Sequence, residues 1–119
     1  MSHVILVVDD DRSVRASTVR LLIARGYTAF EAATAPEAVA RASEVSPDAI
    51  LMDLHMHPSS GFEAARQIKA RQVLEHIPII ALSATPPAPD EALQLFHTVL
   101  VKPCPSDQIV AAIETALRS

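Results

Sequence analysis

The sequence predicts an α/β domain in which short strands alternate with helices and form one parallel sheet covered by helices on both faces. Four apolar runs, at 4–8, 50–52, 79–82 and 99–101, have the length and the Val, Ile and Leu content of strands buried on both sides. A fifth and weaker strand pattern lies at 27–32. Helix-start signals separate these runs, and such alternation is typical of a doubly wound sheet with right-handed crossovers.

The predicted elements follow one another without a linker, a low-complexity tract or a sequence repeat. In chain order they are strand 4–8, helix 12–25, strand 27–32, helix 34–45, strand 49–53, a helix opening at 60, a strand starting at 77, helix 90–96, strand 98–101 and a last helix opening at 105. Three prolines within 84–90 prevent a helix through that segment. The fourth helix is therefore predicted to be short or irregular, with roughly two turns.

The predicted helices carry recognisable boundary signals. Asp11 can cap the first helix, and Gly26 can take the left-handed conformation that ends it. The segments 34–37 and 60–63 have the pattern of capping boxes. Apolar residues at helical spacing predict inward faces formed by Val14, Thr18, Leu21 and Leu22; by Val39 and Ala42; by Phe62, Ala65 and Ile68; and by Ile109, Ile113, Ala116 and Leu117.

Composition sets limits on the function. The 119 residues suit one domain, and half of them are hydrophobic while only 3% are aromatic, so Val, Ile, Leu and Ala must build the core. A formal net charge of −4 argues against nonspecific nucleic-acid binding. The single cysteine, Cys104, excludes an intramolecular disulfide and suits a reducing compartment. The apolar run near the N-terminus is too short for a signal peptide or a membrane span, so we expect a cytoplasmic protein without membrane insertion.

Polar residues follow four of the apolar runs directly. The acids 9–11 follow the first predicted strand, Asp53 ends the third, Ser83 comes directly after the apolar run of the fourth, and Lys102 follows the fifth. In an open parallel sheet, the carboxyl ends of the strands meet at one edge, where ligands bind. We therefore expect these side chains to share one crevice.

The chemistry of this crevice favours a phosphoryl group. Asp9, Asp10 and Asp53 would repel one another by on the order of 4 kcal/mol per pair at roughly 4 Å. A Mg²⁺ ion, which prefers oxygen ligands and commonly also holds phosphate, would relieve that repulsion. An aspartate can accept a phosphoryl group as an acyl phosphate, and Lys102 and Ser83 could supply the cation and the donor that stabilise it.

At these residues the chain resembles the receiver domain of two-component response regulators, along essentially its whole length. The matching motifs are Val7-Val8-Asp9-Asp10-Asp11, Leu51-Met52-Asp53 with Met56, Gly61 and Glu63 downstream, Ala81-Leu82-Ser83-Ala84, and Val101-Lys102-Pro103. The resemblance implies a flavodoxin-like (βα)5 fold with strand order 2-1-3-4-5. It also implies a single receiver domain over residues 1–119, and we expect no effector domain in this chain.

The resemblance also implies roles for individual residues around the metal. Asp53 would accept the phosphoryl group from a histidine kinase or a histidine phosphotransfer protein. Asp10 would bind Mg²⁺ directly, Asp9 would bind it through water, and the backbone carbonyl of His55 would add the third protein contribution.

Two further roles concern the phosphoryl group. The hydroxyl of Ser83 would move to bind it, and Lys102 would pair with it. The peptide bond from Lys102 to Pro103 would be cis, which is tolerated at proline.

The chain departs from the family's usual pattern in four places. His57 stands where a proline usually follows the methionine of the phosphorylation loop. Val99 stands where an aromatic residue or a histidine usually precedes the lysine by three positions, so an aromatic rotamer switch is not expected. The usual Gly-Ala before the fifth strand is replaced at 96–97, and the Pro-rich 86–89 segment occupies a surface that usually carries output and dimerisation.

Other interpretations of single residues remain open. Asp11 is better explained as a helix cap than as a ligand. His55 and His57 lie two apart and could both reach a transition metal, but no third soft ligand is evident, and exposed loop histidines explain them more simply. Cys104, between two prolines, has the surroundings of a packing residue and no neighbouring base that would make it a nucleophile.

The sequence is compatible with three functions. The leading hypothesis is a phosphoacceptor module that catalyses only its own phosphorylation and dephosphorylation, with an unknown downstream protein partner and no direct contact with nucleic acid. The second is a degenerate receiver that binds its partner constitutively. The third is a metal-dependent phosphatase with an aspartyl-phosphate intermediate, and it is disfavoured because His55 stands where the general acid would be.

Overall fold

The computed structural model describes residues 2–56, 60–85, 87–88, 90 and 95–118. Its strands are β1 Val4–Val8, β2 Thr28–Ala32, β3 Ala49–Asp53, β4 Ile79–Ser83 and β5 Thr98–Val101. The helices within the described residues are α1 Arg12–Ala24, α2 Ala35–Val45, α3 Gly61–Ala70 and α4 Ser106–Arg118. The short helix predicted at 90–96 falls largely on residues 91–94, which lie outside the described part of the chain. No described helix is both long and apolar enough to cross a membrane.

The five strands form one parallel sheet in the order β2-β1-β3-β4-β5. The predicted fold class and strand order are therefore confirmed. β3 and β4 are buried along their whole length, whereas β2 and β5, at the two edges, are only half-buried. The central position of β3 places its last residue in the middle of the carboxyl edge.

Alternation along the strands divides the core into two layers. In β1, Leu6 and Val8 face a layer completed by α2 and α3, while Ile5 and Val7 face a layer completed by α1 and α4. Successive strand residues point to opposite faces of a sheet, so a strand that is apolar throughout must be covered on both sides. The continuous apolar runs in the sequence were therefore a reliable sign of this layering.

The predicted helix boundaries also form. Asp11 accepts the N–H of Val14 at 3.1 Å, and the capping boxes at 34–37 and 60–63 place each cap oxygen 3.2 to 3.3 Å from the amide nitrogen of its glutamate. Gly26 has a φ of 90° and ends α1, because its amide and that of the next residue return to carbonyls of the last turn. Only glycine takes such a conformation without strain.

The predicted inward face of α1 was wrong at one position. Leu22 is fully buried, but Val14 is 44% exposed. The first turn of α1 does not close onto α4, and Val14 instead lines an open groove with Thr18 and Ile109. Helical spacing gave the correct side of the helix, but it does not report how far a neighbouring helix reaches.

Gly61 is the residue that lets α3 begin beside the end of β3. Its amide donates to the carbonyl oxygen of Leu54 at 3.3 Å. A Cβ at this position would run into the carbonyl oxygen of Asp53 and the Cα of Leu54, both of them backbone atoms. The absence of a side chain at Gly61 therefore fixes how closely the helix approaches the residue that ends the central strand.

Gly61→Ala is expected to lower the free energy of unfolding by about 2 kcal/mol, because the backbone of β3 or α3 must shift to admit the methyl group. Urea unfolding followed by circular dichroism measures this. Gly26→Ala is the matched control: its Cβ meets no atom, so its loss of roughly 1 kcal/mol should come from backbone strain alone. A Gly61→Ala variant as stable as wild type would show that the backbones of β3 and α3 leave room for a methyl group.

Candidate functional site

The carboxyl edge of the sheet brings together all of the side chains that the sequence selected. Asp9 and Asp10 follow β1, Asp53 ends β3, Ser83 ends β4 and Lys102 follows β5. Parallel pairing aligns these ends, since Asp53 is paired with Leu82 and Ser83 with Val101. The crevice is therefore built by strand register, and four of the five strands contribute a side chain at their last residue or just after it.

Three carboxylates form the acidic part of the site. Asp9, Asp10 and Asp53 each offer an oxygen, and these oxygens lie within 4.8 Å of one another. Asp53 is 3% exposed and Asp9 is 4% exposed, whereas Asp10 lies at the surface. Among the described residues no other group of histidines, cysteines and acids is close enough to share a metal ion. The donor set is composed of hard oxygen atoms, and it therefore fits Mg²⁺ better than a transition metal.

Lys102 places its ammonium group against two of these acids. Its Nζ lies 3.4 Å from Oδ1 of Asp53 and 3.9 Å from Oδ2 of Asp9. The backbone of β5 sets this position, because the amide of Lys102 donates to the carbonyl oxygen of Ser83 at 3.0 Å. The peptide bond to Pro103 is cis, as the resemblance implied. A positive charge therefore faces the carboxylate of Asp53 across the end of β4.

Arg15 also supports the site, although it was not predicted from the sequence. Its Nη1 donates to the carbonyl oxygen of Asp9 at 2.8 Å, and its Nε pairs with Glu31 at 2.9 Å. The side chain is only 15% exposed, so α1 is joined through it to the ends of β1 and β2. An arginine one turn into a helix usually faces solvent, and no pattern in the sequence distinguishes this one.

The environment of Asp9 disfavours the ionised form of its carboxyl group. Burial raises the pKa of its carboxyl above the ordinary 3.8, and the neighbouring charge of Asp53 raises it further. The amide of Asp11, which donates to Oδ1 of Asp9 at 2.9 Å, and the charge of Lys102 oppose this rise in pKa without cancelling it. The folded protein therefore holds a negative charge on Asp9 at a cost, which a bound cation would remove.

His55 contacts the site through its backbone and its ring. Its amide donates to Oδ1 of Asp53 at 3.0 Å, so its backbone lies beside the acids, while the metal-binding role of its carbonyl stays a prediction. Its Nε2 lies 3.0 Å from Oγ of Ser83, a contact that the sequence did not indicate. Ser83 is fully buried and also bonds both backbone groups of Thr85.

Two alternative interpretations of single residues can be compared with the structure. His57, the partner in the transition-metal interpretation, lies outside the described residues, and the ring of His55 is not among the side chains that cluster around the acids. The thiol of Cys104 is partly buried, and burial raises its pKa, which disfavours the reactive thiolate. Cys104 therefore has the properties of a packing residue.

Comparison with known proteins gives consistent matches. A family model described as response regulator receiver domain matches residues 5–114. The sequence is 35% identical over 121 aligned positions to Response regulator MprA of Mycobacterium ulcerans (strain Agy99), and 33% identical over 117 positions to Transcriptional regulatory protein PrrA of Mycobacterium leprae (strain TN). These alignments cover 99% and 96% of this chain but 51% and 49% of the relatives. The chain thus spans about half the length of the curated relatives it matches.

Solved structures agree with this match. Chemotaxis protein CheY4 of Vibrio cholerae is 27% identical with a TM-score of 0.90, and the alignment covers 98% of this chain and 100% of that one. The receiver domain of sensor histidine kinase PA1611 from Pseudomonas aeruginosa PAO1 is 29% identical with a TM-score of 0.89, and both chains are covered completely. That domain was crystallised with a magnesium ion coordinated in its active site cleft.

Asp9→Asn is expected to raise the free energy of unfolding at neutral pH in metal-free buffer. Because the folded-state pKa of Asp9 is raised, the folded state takes up a proton before the unfolded state does, so Asp9 lowers stability once the pH exceeds that folded-state pKa. The difference between variant and wild type should shrink as the pH falls toward 3.8, where the unfolded aspartate is also protonated. Urea unfolding across an acidic to neutral pH series with a chelator measures it. A variant less stable than wild type at neutral pH would contradict this account.

Proposed function

This chain belongs to the response regulator receiver domain family, whose members are signalling domains, and on that basis we propose that Asp53 accepts a phosphoryl group in a phosphorelay. The donor is a phosphohistidine of a histidine kinase or of a histidine phosphotransfer protein. The observation that carries the proposal is the buried carboxylate at the end of the central strand, with two further acids and the ammonium of Lys102 around it.

The transfer is a substitution at phosphorus. An Oδ atom of Asp53 attacks, the new O–P bond forms as the P–N bond of the phosphohistidine breaks, and the leaving imidazole nitrogen takes up a proton. The product is an acyl phosphate on the aspartate, which water later hydrolyses. The domain thus catalyses its own modification and its own return to the starting state, with no separate substrate to turn over.

Lys102 and Ser83 stabilise the transferred group. The ammonium of Lys102 already lies 3.4 Å from Oδ1 of Asp53, so it needs only a small movement to pair with a phosphoryl oxygen. The hydroxyl of Ser83, at the end of the neighbouring strand, donates to another oxygen after it turns toward the site. Fixed donors and cations around a phosphoryl group are the main source of rate enhancement in such transfers.

Mg²⁺ is the metal that the acid cluster fits. Asp10 would hold it directly, Asp9 through a water molecule, and Asp53 and the carbonyl of His55 would complete the protein's share. When bound, the ion neutralises charge on the acids and on the incoming phosphoryl group. The strained ionisation of Asp9 supports this assignment, because the charge that the fold tolerates poorly is the one that a cation would compensate.

We further propose that residues 1–119 form one receiver domain acting in the cytoplasm. Signal output is assigned to a protein partner or a further domain, since a formal net charge of −4 disfavours nonspecific binding to nucleic acid. The complete set of acids with Lys102 favours an active receiver over a degenerate one, because a constitutive binding module has no need of adjacent buried carboxylates.

Purified protein incubated with phosphoramidate and Mg²⁺ is expected to gain the mass of one phosphoryl group. Asp53→Asn should remain unmodified, because the amide has no free carboxylate oxygen to attack phosphorus. Intact-protein mass spectrometry measures both. Asp48→Asn is the matched control, since that carboxylate accepts the amide of Val4 at the opposite end of the sheet and should not affect the modification. An unmodified wild-type protein at saturating Mg²⁺ would overturn the proposed function.

Asp10→Asn is expected to weaken Mg²⁺ binding by at least about tenfold, because it removes a charged oxygen ligand. Titration calorimetry, together with the rise in unfolding midpoint that Mg²⁺ produces, measures the change. Asp11→Asn is the adjacent control: its side chain caps α1, and asparagine caps helices equally well. Equal loss of affinity in the two variants would mean that net charge, and not ligation by Asp10, governs binding.

A further inference from the structure

The imidazole of His55 reaches the end of the neighbouring strand, and the proposed function gives it no task. Its Nε2 lies 3.0 Å from Oγ of Ser83, although the two residues are 28 positions apart in the sequence. The ring therefore links the loop after β3 with the end of β4, directly beside the acceptor Asp53. A contact at this position can influence when the hydroxyl of Ser83 is free to donate to a phosphoryl group on Asp53.

The hydrogen bonds between Ser83 and Thr85 determine whether His55 donates or accepts in its contact with Ser83. Its hydroxyl donates its single proton to the carbonyl oxygen of Thr85 at 2.5 Å and accepts the amide of Thr85 at 3.2 Å. A hydroxyl has one donor and two acceptor positions. The remaining position is an acceptor, so the contact with His55 requires that the imidazole carry its proton on Nε2 and donate it to Ser83.

A serine held in this way has no proton left for a phosphoryl oxygen. Resting on the function proposed above, we propose that His55 is a positioning residue that latches the Ser83 hydroxyl in its resting orientation, so that phosphorylation of Asp53 must release the latch. Release breaks the donation from His55 Nε2 and the donation from Ser83 to Thr85, and the freed hydroxyl then donates to the phosphoryl group.

The different exposure of Ser83 and His55 indicates which orientation of the Ser83 hydroxyl the contact stabilises. Ser83 is fully buried, so its oxygen has no water to replace the imidazole, whereas His55 is exposed and can bond to solvent after release. The contact therefore stabilises mainly the resting orientation of Ser83. One neutral hydrogen bond contributes a net free energy that corresponds to about a fivefold change in an equilibrium constant or a rate constant.

The test is a double-mutant cycle on the initial rate of phosphorylation by phosphoramidate with saturating Mg²⁺. His55→Ala is expected to raise the rate about fivefold in the protein that retains Ser83. In Ser83→Ala protein the same change should alter the rate by less than about twofold, because no hydroxyl remains to be released. His55→Gln, which keeps an N–H donor on a flexible side chain, should restore a rate near that of wild type.

His76→Ala is the matched control, since that histidine is exposed in the turn after α3, outside the cluster of site residues, and should leave the rate unchanged. A second measurement uses nitrogen NMR of the histidine rings. Wild type should show His55 protonated on Nε2, and Ser83→Ala should shift the His55 ring signals without moving those of His76.

The outcomes separate the latch from the function on which it rests. A rise in rate that depends on Ser83 supports the latch, whereas an equal effect of His55→Ala with and without Ser83 overturns it. A fall in rate on removal of the imidazole also overturns it. A wild-type protein that is never modified overturns the proposed function instead, and the NMR measurement still decides independently whether the contact exists, because unmoved His55 signals in Ser83→Ala would refute it.

Discussion

The repulsion among three carboxylates at one edge of the sheet is the constraint on which the site depends. Each of these acids could be satisfied more easily in open solvent, and the raised pKa of Asp9 shows that burial and the nearby charge of Asp53 act against its ionised form. The fold tolerates the repulsion because the acids are attached to a sheet whose central strands are buried on both faces. The burial of that apolar core, and not the polar contacts at the edge, holds the charges together.

The surrounding groups reduce the repulsion without removing it. Lys102 faces two of the acids at 3.4 and 3.9 Å, and Arg15 bonds the carbonyl of Asp9 while its own charge pairs with Glu31. A site whose acids were fully neutralised by its own residues would attract a cation only weakly. The incomplete compensation of the acids therefore leaves binding energy for a cation, which would complete the neutralisation of the site.

The sequence predicted the features that depend on local chemistry or on the sheet edge. Strand positions, helix caps and the grouping of Asp9, Asp53, Ser83 and Lys102 follow from patterns a few residues long combined with the geometry of a parallel sheet. The start of β4 differs, because it was predicted at 77 and lies at Ile79. The contacts made by side chains between distant segments were not predictable. Arg15 with the Asp9 carbonyl and the His55 ring with Ser83 depend on rotamers and on how two loops approach each other, and no spacing rule encodes these.

The acids 9–11 show how the backbone assigns different chemistry to identical residues. Asp9 still belongs to the end of the strand, since its amide bonds to the carbonyl of Ala32, and its side chain is buried. Asp10 is one step further along and lies at the surface, but it remains within the acid cluster. Asp11 has turned into the helix start, and its carboxylate accepts the amide of Val14. Within three residues the chain changes from strand to helix, so one carboxylate is strained, the next is accessible to a hydrated ion, and the third is used to begin α1.

The backbone also directs a side chain at the end of β4, where the turn at Thr85 determines which way the hydroxyl of Ser83 points.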